Sequence, residues 1–201
     1  MATCSSHSSG ARIPARELAL KRYLVLYFTN TGNTRFLAHK LAERLDGTVQ
    51  EIKPPFRSVF GLYLWSLMRF PLPTGIARED VERSDEVIVM GPIWGGLLIA
   101  PIRSALRRCV RAGKASHVAV CCETSDEQKD GKYGYSGVLK AAELAGRGLV
   151  KSTAAFSTDL VKPPGAVATV AIKEKIRITD ASYPGLMQER LEAYASRILQ
   201  I

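Results

Sequence analysis

The sequence predicts an α/β chain built on a doubly wound parallel sheet, and three observations carry that expectation. The apolar runs at 23–28, 86–91 and 117–122 lack period-two alternation, as strands buried on both faces do. Segments with apolar residues at helical spacing come between the runs, and strands alternating with helices favour parallel pairing. A hydroxyl-rich turn, Thr29-Asn30-Thr31-Gly32-Asn33-Thr34, joins the first strand directly to the first helix.

Taken in order, 23–28 is the first strand and 35–45 the first helix. A second strand covers 48–52, closed by Lys53-Pro54-Pro55. The segment 59–70 is apolar almost all round and ends at Pro71 and Pro73. It predicts a short crossover helix packed in the core or at an interface. A greasy lip beside a ligand, a dimer contact or a membrane-surface anchor are the other roles open to it. The third strand is 86–91, followed by Pro92-Ile93-Trp94-Gly95-Gly96 and a helix over about 100–112. The fourth strand, 117–122, leads into a polar loop, 123–135, and a helix over 136–145. A fifth strand falls near 150–157. Residues 158–180 read as irregular, with 166–172 an added strand or helix. Pro184 opens a final helix, 185–201, whose stripe is Leu186, Leu191, Tyr194, Ile198 and Leu199.

The 201 residues suit one domain, over 21–201, with the Ser-rich first 20 residues as a flexible extension. That extension lacks the apolar core of a secretory signal, and no apolar run approaches the roughly 20 residues that span a bilayer. Cys4, Cys109, Cys121 and Cys122 have no C-x-x-C spacing and no histidines at ligand distance, so no metal is expected. With few cysteines and no signal, a cytoplasmic location is expected. The net charge is +9, with Arg103, Arg107, Arg108, Arg111 and Lys114 clustered. No reading motif or aromatic-interleaved basic strip accompanies it, so nucleic acid is not an expected partner. A solvated basic face, an acidic protein partner and an anionic membrane surface remain.

The turn at 29–34 has the makings of an anion site. Unpaired N–H groups and the positive end of a helix dipole converge there, and threonine hydroxyls add donors. No Lys-Ser/Thr pair follows the glycine and no G-x-G-x-x-G is present, which excludes the nucleoside triphosphate and dinucleotide loops. The candidate ligand is a phosphomonoester, and the alternative is a hydroxyl-rich helix cap with no ligand. T-x-T-G-x-T after a first strand resembles the FMN phosphate loop of the flavodoxin family, which implies that Thr29, Asn30, Thr31, Gly32, Asn33 and Thr34 bind the phosphate of FMN.

The resemblance extends to a second loop in the right order and covers about residues 22–155. It implies a flavodoxin-like doubly wound five-stranded parallel sheet with helices on both faces. Ligands of such sheets sit beyond the carboxyl ends of the strands, where strand order reverses. By that resemblance Trp94 packs on the isoalloxazine ring, and Pro92, Ile93, Gly95 and Gly96 bring backbone to its edge. A buried anchor under the sheet is the other role open to Trp94. The fourth-strand loop matches the family less well. Backbone amides of Glu123, Thr124 and Ser125 are expected at the flavin carbonyls, with Tyr135 or Tyr133 as the second aromatic wall. Cys121 and Cys122 read as buried small hydrophobes, or as thiols near the flavin.

His7, His39 and His117 form no catalytic set with a nucleophile, and none is needed if FMN carries the redox chemistry. The resemblance therefore implies a non-covalent FMN protein that transfers electrons. One version is a carrier working with a redox partner protein. Another is an NAD(P)H-dependent quinone reductase that passes electrons to a quinone-like acceptor. A third is a cofactor-free interaction module of the same fold. Carriers of the family are typically acidic, so this basic chain would be repelled by their usual basic partners. Its FMN should accordingly be easier to reduce fully. The apolar segment 59–70 also makes a homodimer plausible.

Overall fold

The computed structural model describes residues 21–161 and 176–201. The expected extension over 1–20 and the added element at 166–172 lie outside the described residues. Among the described residues, five parallel strands form the sheet in the order β2-β1-β3-β5-β6: β1 (Tyr23–Tyr27), β2 (Thr48–Glu51), β3 (Glu86–Trp94), β5 (Ala115–Cys122) and β6 (Val150–Ser157). The two-residue β4 (Leu97–Leu98) folds back antiparallel onto the end of β3. The helices are α1 (Asn33–Leu45), α2 (Val59–Leu67), α3 (Arg78–Arg83), α4 (Ala100–Arg111), α5 (Ser136–Ala145) and α6 (Leu186–Leu199).

The missing alternation in the three apolar runs has a direct cause, because β1, β3 and β5 each feed two cores. Leu24, Leu26, Val87, Val89, Val118 and Val120 face one side, where they pack with Ile102, Leu106 and Val138 of α4 and α5. Tyr23, Val25, Tyr27, Ile88, Met90 and Ala119 face the other, against Leu37 and Leu41 of α1 and Leu191 and Tyr194 of α6. Both faces are apolar, so the period of two disappears from the sequence while persisting in the structure.

Several elements differ from expectation. β3 continues to Trp94 because Gly95 and Gly96 make a two-residue hairpin turn, with φ of 56° and 72°. Positive φ at both central residues is what a type I′ turn requires, and the turn pairs Ile93 with Leu98 and Trp94 with Leu97. α3 was not expected: its six residues bury only Val81, too little to show a stripe. α2 is no core helix, since it buries only Leu62 and Ser66, and its Ser58 cap accepts from the Gly61 N–H at 3.2 Å. The core face of α6 comprises Met187, Leu191, Tyr194, Ala195 and Ile198, whereas Leu186 and Leu199 are exposed. Four of the clustered cations do share α4; Lys114 follows it and donates to the carbonyls of Glu82 and Ser84, each at 2.8 Å.

Candidate functional site

β1 and β3 are neighbours at the point where the connections leave in opposite directions, to β2 on one side and β5 on the other. The loops after β1, β3 and β5 therefore share the carboxyl edge of the sheet. The Phe28 N–H donates to the Met90 carbonyl (3.0 Å), which holds the first loop to β3. The buried Thr29 then turns the chain, with its Oγ1 accepting from the Gly32 N–H at 3.0 Å.

Gly32 caps α1 at φ 100°, and a Cβ built there would meet nothing within 4 Å. Backbone is thus open to close approach at the helix N-terminus. The first i→i−4 bond of this turn runs from the Phe36 N–H to the Gly32 carbonyl (3.0 Å). The N–H groups of Asn33, Thr34 and Arg35 precede it, where a helix offers donors to an outside acceptor.

Asn33 uses both ends of its amide elsewhere. Its Nδ2 donates to the Ile176 carbonyl (2.8 Å), and its Oδ1 accepts from the Ile178 N–H (2.9 Å). This clamp brings the 176–180 stretch over the start of α1. A pocket of about 570 Å³ opens there, with Thr31, Gly32, Arg35, Lys40 and Arg177 among its lining. Glu43 and Asp180 line it as well, so the hydroxyl loop is rimmed by charges of both signs. Lys40 also pairs with Asp180 at 3.2 Å.

Pro92, Ile93 and Trp94 lie at the end of β3, all half-buried, and Pro92 pairs with Cys121 of β5. The Trp94 ring meets Phe28 edge-on, with centroids 6.1 Å apart at 75°. The hairpin turn is held from both sides. A Cβ on Gly95 would come within 3.3 Å of the Tyr63 ring, and one on Gly96 within 2.6 Å of the Lys132 carbonyl oxygen. The turn therefore joins α2 to the loop after β5.

In that loop Glu123 is exposed, and Thr124 and Ser125 are half-buried. Thr124 Oγ1 donates to the Tyr133 carbonyl (3.3 Å), and Ser125 Oγ donates to Glu127 Oε2 (3.0 Å). The two tyrosines part company. Tyr135 is only 9% exposed, packs in the core beside α5, and donates its hydroxyl to Asp126 Oδ1 at 2.7 Å. Little of its ring is left to offer a planar ligand. Tyr133 is 61% exposed and keeps that capacity.

Asp126 also accepts from Arg190 of α6 (Nη1 to Oδ1, 3.0 Å). The Arg190 and Tyr135 hydrogen bonds hold its carboxyl down at about 2. Burial and the Asp126 carboxylate push the Tyr135 phenol up to about 12. Burial also raises the Cys121 thiol to about 12 and the Cys122 thiol to about 11, so both behave as small hydrophobes near neutrality.

A second polar cluster lies at the opposite, amino end of the sheet. His117 Nε2 bonds Glu86 Oε2 (2.9 Å), its Nδ1 bonds Ser152 Oγ (2.8 Å), and Lys21 donates to Glu86 Oε1 (2.8 Å). The connectivity is that of a serine, a base and an orienting acid. However, His117 is fully buried and Ser152 nearly so, which denies a substrate access to the hydroxyl. The cluster is structural. Among the described residues no group of three or more His, Cys, Asp or Glu is placed to hold a metal ion. Nor is any described helix long and apolar enough to cross a membrane.

No protein-family model matches the chain, and no curated protein matches it by sequence. Solved structures do. A flavoprotein in complex with FMN from Lactobacillus acidophilus aligns with a TM-score of 0.54 at 16% identity, over 67% of this chain and 93% of that one. A short-chain flavodoxin associated with a non-canonical PDU bacterial microcompartment aligns at 0.51 and 15% identity, over 90% and 97%. A flavodoxin from the domain Archaea gives 0.50 and 12%, over 89% and 97%. With the strand order and helix layers described above, the chain has the flavodoxin-like fold.

Proposed function

We propose that this chain binds FMN non-covalently across the three carboxyl-edge loops and transfers electrons through it. The observation that carries this reading is the first loop. An open, left-handed Gly32 stands at the N-terminus of α1 between Thr31 and Thr34, and arginines line the adjoining pocket. These groups suit a phosphate: backbone N–H groups of 33–35 and the two hydroxyls donate, while Arg177 and Arg35, the latter shared with Glu51 at 3.8 Å, balance charge. Thr29 and Asn33 shape the loop through their side-chain hydrogen bonds, and the exposed Asn30 stands beside Thr31 at its rim. Bound FMN supplies the redox chemistry, taking and giving electrons one or two at a time. Trp94, braced edge-on by Phe28, offers an indole to a planar ring, and Pro92, Ile93, Gly95 and Gly96 offer backbone beside it. Glu123, Thr124 and Ser125 flank the opposite side with Tyr133, while Tyr135 supports that loop from the core. The FMN-bound Lactobacillus neighbour supports the cofactor, and the flavodoxin neighbours support electron transfer.

The test is an FMN titration of the purified chain, followed by flavin fluorescence. Quenching at micromolar FMN, weakened in Trp94→Ala, is the expected result. No binding at that concentration overturns the proposal and leaves a cofactor-free interaction module.

The net charge of +9 favours a second reading, an NAD(P)H-dependent quinone reductase, over a carrier that docks on basic partners. Steady-state oxidation of NADH or NADPH with a quinone acceptor separates the two. The three described cysteines are unpaired, which suits a reducing compartment such as the cytoplasm.

A further inference from the structure

One face of the molecule, adjoining the Gly95–Gly96 turn, combines two costly features. The first is α2 and its continuation, where Phe60 is 77%, Leu67 55% and Met68 53% exposed, with Leu64 and Phe70 close behind. This surface is fixed in place. Trp65 meets Phe56 and Phe70 edge-on, with centroids 5.7 and 5.5 Å apart, and its Nε1 donates to the Pro71 carbonyl at 3.2 Å.

The second feature is a group of arginines beside it. Two adjoining pockets, of about 500 and 470 Å³, run between α2, α4 and α5, and Arg103 and Arg107 line both. Arg69 completes one, and Arg111 and Arg147 the other; neither is lined by an Asp or Glu. Arg103 Nη2 donates to the Ser66 carbonyl (2.9 Å), which seats the cation under α2, while its buried Nε has no acceptor among the described residues. None of these five arginines makes a salt bridge to another described residue.

Gathered like charges and a solvent-facing apolar helix are both unfavourable alone, and one neighbour relieves both. We infer that α2 and this arginine group form a docking face for an anionic lipid bilayer. At the headgroup–acyl boundary, anionic phosphates and hydrocarbon lie within a few ångströms of each other, which matches arginines beside an apolar helix. A second copy of the chain fits less well, because two-fold pairing of this face would bring the two arginine groups together. Docking needs no cofactor. It would, however, hold the Gly95–Gly96 turn near the lipid, because Tyr63 of α2 lies against Gly95.

Co-sedimentation of the full chain with vesicles tests the inference, comparing phosphatidylcholine alone with phosphatidylcholine plus phosphatidylserine, at low and high salt. Binding to the serine-containing vesicles only, weakened by salt, is expected. Phe60→Asp with Leu67→Asp, and separately Arg107→Glu with Arg111→Glu, should each lower the vesicle-bound fraction about tenfold or more. All four positions are exposed or half-buried, and thermal melting verifies that the variants fold. Absence of vesicle binding overturns the inference, as does equal binding to neutral vesicles. A dimer in sedimentation velocity that Leu67→Asp dissociates, without vesicle binding, assigns the face to a second copy. Binding to polyglutamate without vesicle binding assigns it to an acidic protein.

Discussion

Asn33 Oδ1 accepts the Ile178 N–H at 2.9 Å across 145 positions of sequence, while its Nδ2 holds the Ile176 carbonyl. The residue that begins α1 thus fixes the chain that roofs it.

Asn33→Ala removes both bonds and strands the buried Ile178 N–H. A loss of about 1–3 kcal/mol of stability is expected, together with weaker FMN binding. Hydrogen exchange at the Ile178 amide should accelerate strongly. An unchanged rate would mean the clamp does not hold the segment.

The two loop glycines should differ in cost. Gly32→Ala places a side chain at φ 100° in open space, so backbone strain of about 1–2 kcal/mol is the main penalty. Gly96→Ala adds a collision with the Lys132 carbonyl oxygen at 2.6 Å to a φ of 72°, so its drop in Tm should be larger. Equal Tm values would show that the hairpin shifts freely.

Acid should destabilise the fold in two stages. Burial holds His117 below its ordinary 6.5 despite the Glu86 bond, so the unfolded chain binds its proton first. The His117 contribution is full above pH 6.5 and is lost as pH falls toward the folded value. Asp126, and Asp85, which hydrogen bonds from the Arg22 side chain and backbone hold at about 2 as well, contribute above their ordinary 3.8 and lose that contribution as pH falls toward 2. Urea unfolding at pH 7.5 and 5 should show the first loss, and His117→Gln should abolish most of it. A wild-type stability that stays flat over this range would refute the assignment.

Asp126 should be legible through Tyr135. Asp126→Asn removes a negative charge and a charged acceptor, so the phenol should ionise below about 12 while burial keeps it above 10. A spectrophotometric titration, differenced against Tyr135→Phe, isolates that group. An unmoved midpoint would rule out the electrostatic coupling.

The sheet was legible because a strand covered on both faces leaves an uninterrupted apolar run, as in 23–27 and 86–90. The turn at 29–34 was legible because hydroxyls, a glycine and a helix start are all local. What lay beyond reach depends on partners far along the chain. Nothing near Asn33 announces Ile176 and Ile178, and nothing near Asp126 announces Arg190. The Gly95–Gly96 hairpin is different, because two glycines between apolar pairs are a turn signal. The same residues fit a ligand-facing loop equally well, so the sequence alone does not single out the hairpin. For α2, apolar residues all round left core and interface packing both open, and most of them facing outward excludes only the core.

Cys121 and Cys122 are consecutive, yet the alternation of β5 sends one thiol into the α1–α6 core and the other into the α4–α5 core. The sheet itself stands between them. With thiolates scarce on both sides, peroxide and alkylating agents should find the native chain inert at these positions and reactive only once it unfolds. These two thiols thereby lie where oxidation has the least purchase, in contrast to the exposed Met68 thioether.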